Sequence, residues 1–266
     1  MNIFWREIKT YRGSTLFWTS IFCLIVIVFF MMYSSFSNDV TGLQKTLLHF
    51  PVAVRSAFNI SMQSFFTIYG YFAYLITFVS LAGAFQAMNL GLGMLAKEDG
   101  GKTVDFLLTK PISRNKVITS KLIATVILLI LTNIVFSAVS LALAAVFSTT
   151  SLNSTTFLLI AATLFMIQIF FLSLGLLLSV VLPKIKSIIA VSLPTVFTFF
   201  AIGAFGAIIG DENIRYINPF KYYDSNFIIN NKTYDLKFVV VEAILVVAFI
   251  WISYLLYSKK DIQAIS

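Results

Sequence analysis

Residues 97–121 read KEDGGKTVDFLLTKPISRNKVITSK, the longest polar interruption between two strongly apolar stretches of the chain. Its first residues pose the question of fold. AKEDGGKT at 96–103 nearly spells the phosphate-binding loop G-x-x-x-x-G-K-[ST], which belongs between a buried strand and a helix of an α/β domain. Ala96 stands where the first glycine is required, and the run follows a long apolar stretch that reads as a membrane helix. No ATP site is therefore expected in this chain. The segment reads instead as a connection between two membrane helices. Thr103 is placed to cap a short helix whose Val104, Leu107 and Leu108 share one face. Pro111 ends that helix, and Ser113 is placed to cap a second one carrying Lys116 and Lys121. A short, partly apolar helix at the mouth of a membrane domain suits docking into a groove on another protein.

Composition agrees with the membrane reading. Of 266 residues, 59% are hydrophobic and 11% charged, and the mean hydropathy is +0.93. Soluble domains carry about 25% charged residues, so most of this chain must face lipid or other apolar helices. The net charge of +8 is spread among the segments between apolar runs, with no basic patch interleaved with aromatics. Membrane orientation accounts for it better than nucleic acid does. Cys23 is the only cysteine and His49 the only histidine, which leaves no disulfide and makes a zinc site improbable.

Working outward from the loop, the expected fold is all-α and integral to the membrane, a single domain over 1–266. Six spans are expected at about 15–36, 65–96, 122–147, 156–182, 187–210 and 238–257. Residues 1–14 set Phe4, Trp5 and Ile8 against Arg6, Lys9 and Arg12, the pattern of an amphipathic helix at the headgroup level. The first apolar run exceeds the roughly 7–15 residues of a signal-peptide core and is expected to remain as an anchor. Gln86, Asn89, Asn133 and Gln168 interrupt the spans, where amides bond neighbouring helices. The fifth span holds Pro194 with Gly203, Gly206 and Gly210. Close helix packing and a bend or re-entrant break near the outer gate are equally open readings. The segments 37–63 and 211–237 are expected to lie on the outer face, the second hugging the interface through Phe220, Tyr222, Tyr223, Phe227 and Tyr234. Glu242, one turn inside the last span, is expected to reach water.

Thirteen lysines and arginines fall in the segments on the side of the 97–121 loop and six on the other. By the positive-inside rule both termini and that loop are cytoplasmic.

Glu98, Gly101, Thr103, Leu107, Leu108, Pro111, Ser113, Arg114 and Lys121 together resemble the cytoplasmic loop between the second and third membrane helices of the ABC type-two permease family. The loop is about a tenth of the chain, and the helix count extends the resemblance to its full length. The resemblance implies a coupling helix that receives the motion of a cytoplasmic ABC ATPase subunit, with Glu98, Gly101, Thr103, Leu107, Leu108, Pro111, Ser113 and Arg114 as coupling residues. Lys184 and Lys186, in the turn between the fourth and fifth spans, are a second, weaker contact. It also implies a non-catalytic permease subunit in the cell membrane, paired with a second copy of itself or a related permease, with ATP and magnesium on the ATPase.

Other classes find less support in the residues. There is no HExxH motif, no intramembrane aspartate pair and no serine with a histidine to activate it. Ion-coupling carboxylates near a midplane are also missing. An ATP-independent channel or membrane scaffold is the alternative to an exporter. The 28 phenylalanines suit hydrophobic or amphipathic cargo, with peptides such as toxins or antimicrobial peptides as the first expectation, although phenylalanine is also ordinary lipid-facing filler.

Overall fold

The computed structural model describes residues 3–38, 40–58, 60–62, 64–99, 114–148, 152–182, 184–210 and 213–259. Among these there is no strand. Six helices are long and apolar enough to cross a membrane: α1 (Ile3–Asn38), α4 (Ile68–Asp99), α5 (Arg114–Phe147), α6 (Ser154–Val181), α7 (Ile188–Ile209) and α10 (Leu236–Lys259). In hydrocarbon every backbone N–H and C=O must be bonded within the protein, and helices meet that demand locally. Between α1 and α4 lie two short helices, α2 (Val40–Leu48) and α3 (Val52–Ala57). Two more, α8 (Ile214–Ile217) and α9 (Ser225–Asn231), lie between α7 and α10.

The expected amphipathic N-terminal segment is helical and continues without a break into the first span. At 36 residues, α1 is about 54 Å long, well beyond the roughly 30 Å of a hydrocarbon core. The helix of the third span likewise starts at Arg114, earlier than its apolar stretch.

The bundle is built on α4 and α6, which are the most buried spans and pack along their lengths. Glycine permits this approach. A Cβ on Gly91 would collide with the Leu172 carbonyl oxygen, and one on Gly175 would lie 2.8 Å from the Met88 carbonyl oxygen. Around this pair, α5 packs between α1 and α6, α10 rests on α6, and α7 lies against α4 and α3. Rings fill the layer between the spans, with Phe72 stacked on Phe157 at 4.1 Å between centroids and Phe30 and Phe136 beside them.

The fifth span shows no re-entrant break, because α7 runs unbroken from Ile188 to Ile209 through Pro194. Re-entry occurs after it. Gly210 ends α7 at a φ of 75°, a left-handed conformation that glycine adopts without strain. Further along the chain, the short 3₁₀ turn Pro219–Lys221 packs against mid-span residues. Phe220 lies 5.3 Å from Phe171 and 5.6 Å from Phe200, and Tyr222 lies 6.5 Å from Phe170. Phe200 is nine residues, about 14 Å, inside the end of α7.

This corrects the reading of 211–237 as a segment that only hugs the interface. Irregular backbone at that depth persists only where protein satisfies it, and here it does. Asn218 is fully buried; its side-chain amide donates to the Phe199 carbonyl oxygen at 2.5 Å and accepts from the Phe220 N–H at 2.9 Å. Arg215 donates to the carbonyl oxygens of Lys221 and Tyr222. Gly203 and Gly206 serve this same packing: a Cβ on Gly203 would strike the Asn218 amide, and one on Gly206 would lie 2.7 Å from Ile214.

Candidate functional site

The 97–121 loop springs from the ends of α4 and α5. Gly101, Thr103, Leu107, Leu108, Pro111 and Ser113 lie outside the described residues, and so does the short helix expected to start at Thr103. Glu98 is placed in the last turn of α4 and Arg114 at the first position of α5, directly after the expected cap Ser113.

The base of the loop is held by Lys121. This residue is 5% exposed, and its ammonium donates to the Met94 carbonyl oxygen at 2.6 Å and lies 3.7 Å from Glu7 Oε1. A cation near the C-terminal end of α4 also faces the negative end of that helix dipole. One side chain of α5 thereby ties the loop's two roots to each other and to α1. The sequence marked Lys121 as part of the motif but could not show that it is buried, because its partners lie 27 and 114 positions away.

The turn after α6 lies at this same end. Lys184 and Lys186 are exposed there, and Ser187 caps α7 by accepting from the Ala190 N–H. A cleft of about 520 Å³ separates this turn from α1 and α4, lined by Tyr11, Asn89, Gly93 and Lys186 among others. The structure thus brings Lys184 and Lys186, the loop base and the N-terminal turns to one end of the bundle.

Midway along the spans, three amides form a chain. Gln168 donates to Gln86 Oε1 at 2.9 Å, and Asn133 donates to Gln168 Oε1 at 2.5 Å. These bonds join α4, α5 and α6, as expected of amides within spans. The Asn89 side-chain oxygen is buried without such a partner.

At the opposite end the expectation for Glu242 is overturned. It is 4% exposed, and Tyr223 covers it while donating to Oε2 at 2.7 Å. The carboxylate does not reach water because the re-entrant segment closes over it. Tyr234 donates to the Leu159 carbonyl oxygen at 2.6 Å, which fixes the segment to α6. Arg215 stands 3.9 Å over the Phe238 ring and 3.9 Å from Asp235. Burial, with the charge of Glu242 second, pushes the Tyr222 hydroxyl up to about 12. Tyr223 was expected only as an interface aromatic, and Lys221 counted only as one of the six cations on the side away from the 97–121 loop. A lone lysine inside the run PFKYYD was the signal available.

Among the described residues there is no group of three or more histidine, cysteine, aspartate or glutamate side chains able to hold a metal. The geometry is that of packed spans with a polar hub, a clamped loop and a re-entrant plug. No curated relative matches the sequence. The family model described as ABC-2 family transporter protein, however, matches residues 1–262. Six apolar helices and that match together place the chain: it is a multi-pass membrane protein and belongs to the ABC-2 transporter family.

Proposed function

We propose that this chain is the membrane-spanning permease subunit of an ATP-driven exporter, with hydrolysis carried out by a separate cytoplasmic ABC ATPase. The observation that carries the reading is the clamp at the root of the loop. Lys121 joins α5 to α4 and to Glu7 of α1, so a displacement of the 97–121 segment reaches three helices at once. The excess of lysine and arginine on that side supports a cytoplasmic position for the loop and both termini. Leu107 and Leu108 would enter a groove on the ATPase, with Glu98, Gly101, Thr103, Pro111, Ser113 and Arg114 shaping the contact and Lys184 and Lys186 adding a lesser one. The chain would make no catalytic contribution of its own, since Ala96 spoils its only phosphate-loop pattern.

The working unit would pair this subunit with a second copy or a related permease, in the cell membrane. The cargo would be hydrophobic or amphipathic, with peptides first. Support comes from the 28 phenylalanines of the chain, whose aromatic side chains suit such cargo.

Co-expression with candidate ATPase subunits tests this reading through co-elution and ATP hydrolysis. The expected result is an ATPase that co-elutes with wild type and is released by Leu107→Asp, with the variant still monodisperse. Failure of every candidate ATPase to bind would leave an ATP-independent channel or scaffold as the better reading.

A further inference from the structure

The face of the bundle between α5 and α6 holds a groove of about 490 Å³, lined by Ile134, Ala138, Leu158, Ala162 and Phe165 among others. No charged side chain among the described residues lines it. Two polar residues do, Asn133 and Ser137, one turn apart on α5. They lie fourteen and ten residues, about 21 and 15 Å, inside the end of that helix. A hydrocarbon core is about 30 Å thick, so both stand near its middle, beyond the reach of phospholipid headgroups.

Neither side chain is fully used by the protein. Asn133 is 9% exposed, and its amide nitrogen donates to the Leu129 carbonyl oxygen at 2.8 Å and to Gln168 Oε1 at 2.5 Å. Two acceptors on the nitrogen fix which way the amide faces, and its oxygen is left buried with no partner. The amide chain from Gln86 through Gln168 thus ends beside the groove in an unused acceptor. Leaving a buried acceptor unbonded is costly.

Ser137 departs from the pattern of its own helix. Thr119, Ser120, Thr125 and Thr132 each donate to the carbonyl four residues back, the common local partner of a hydroxyl within a helix. The half-buried Ser137 hydroxyl makes no hydrogen bond among the described residues. Acyl tails bring neither a donor for Asn133 nor a partner for Ser137. The pair is matched by a head that donates and accepts at once. A carboxylate has no proton to give the Asn133 oxygen, an ammonium cannot accept from Ser137, and either charge at this depth is unfavourable. Ethers and esters only accept, whereas a hydroxyl does both from one atom.

We propose that this groove binds a single-chain amphiphile with a neutral hydroxyl head, which donates to Asn133 Oδ1 and accepts from Ser137 while its chain lies along Ile134, Leu158 and Phe165. The site depends neither on ATP coupling nor on the direction of transport, so its test and the ATPase test fail separately.

Hexadecan-1-ol carrying a mid-chain diazirine is the probe, photolysed with the full chain in phosphatidylcholine nanodiscs, and the labelled peptides are mapped by mass spectrometry. Labelling is expected to concentrate within 130–141 and 158–165. A polar bond of this kind in a membrane changes affinity about threefold. Unlabelled hexadecan-1-ol should therefore compete about threefold better than hexadecyl methyl ether, which cannot donate, and Asn133→Leu and Ser137→Ala should each weaken labelling about threefold. Ala138→Phe, at an exposed position, fills the groove and should abolish labelling there. Asn133→Leu also removes the bond to Gln168, so wild-type elution and melting of Ser137→Ala and Ala138→Phe keep the test clear of misfolding. The proposal is overturned if labelling spreads evenly over the lipid-facing spans, if the methyl ether competes as well as the alcohol, or if Ser137→Ala and Ala138→Phe both label as wild type does.

Discussion

The Lys121 ammonium lies 2.6 Å from the carbonyl oxygen of Met94, two residues whose helices enclose the loop between them. A charged hydrogen bond of this kind contributes roughly 1.5–3 kcal/mol. Lys121→Met should lower the melting temperature by several degrees. Glu7→Gln, which alters a longer contact of 3.7 Å, should do less. If the clamp also transmits motion, Lys121→Met will retain a bound ATPase and lose transport, measured in proteoliposomes. Equal melting of Lys121→Met and wild type would show that the clamp carries no stability.

Backbone contact between α4 and α6 makes a second prediction. Gly91→Ala and Gly175→Ala each place a methyl against a carbonyl of the facing helix, and overpacking of this kind costs about 1–3 kcal/mol. Gly13→Ala is the control, because a Cβ there meets nothing within 4 Å. In a helix that change should be neutral or stabilising by up to about 1 kcal/mol. Thermal unfolding in detergent should rank the three with Gly13→Ala highest.

The amide chain makes a third. Gln168→Leu strips Gln86 and Asn133 of their shared partner, and interhelical bonds in membranes are worth about 0.6 kcal/mol on average and up to about 1.7. A double-mutant cycle of Gln86→Leu with Gln168→Leu should give a coupling energy within that range. Strict additivity would mean that the two amides do not interact.

Alkaline pH probes the re-entrant segment. The Tyr222 hydroxyl ionises near 12 in the fold and near 10 when unfolded, so the folded state favours its neutral form. That contribution is fully present below pH 10 and is lost as the pH rises through 12. Tyr222→Phe should therefore show a shallower loss of stability between pH 10 and 12 than wild type, followed by tyrosinate absorbance and melting temperature. The variant also loses the bond to the Tyr216 carbonyl oxygen, which lowers its stability at every pH.

The residues read most faithfully were those whose role is set locally. Long apolar runs had to be helices, the polar stretch at 97–121 had to lie between two of them, and Gln86, Asn133 and Gln168 had to seek partners in other spans. Pro194 and the glycines were harder. Their spacing fitted a re-entrant break in the fifth span and equally fitted packing, and the structure assigns Gly203 and Gly206 to packing against Asn218 and Ile214. Glu242 was misjudged because its distance from a helix end was taken as its distance from water.

The sequence by itself determined the number of spans and their helical state, because hydrocarbon forces backbone bonding within each apolar run, and its 97–121 loop carried the resemblance to the family. Only the tertiary structure decided that α4 and α6 form the core while α7 and α10 remain at the rim. Lipid tails are as apolar as leucine, so a face turned to lipid and a face turned to a neighbour carry the same side chains. It alone decided the depth of Pro219–Lys221 and the burial of Lys121 and Glu242, since their enclosing groups come from other segments. No local pattern records a partner that only folding brings near.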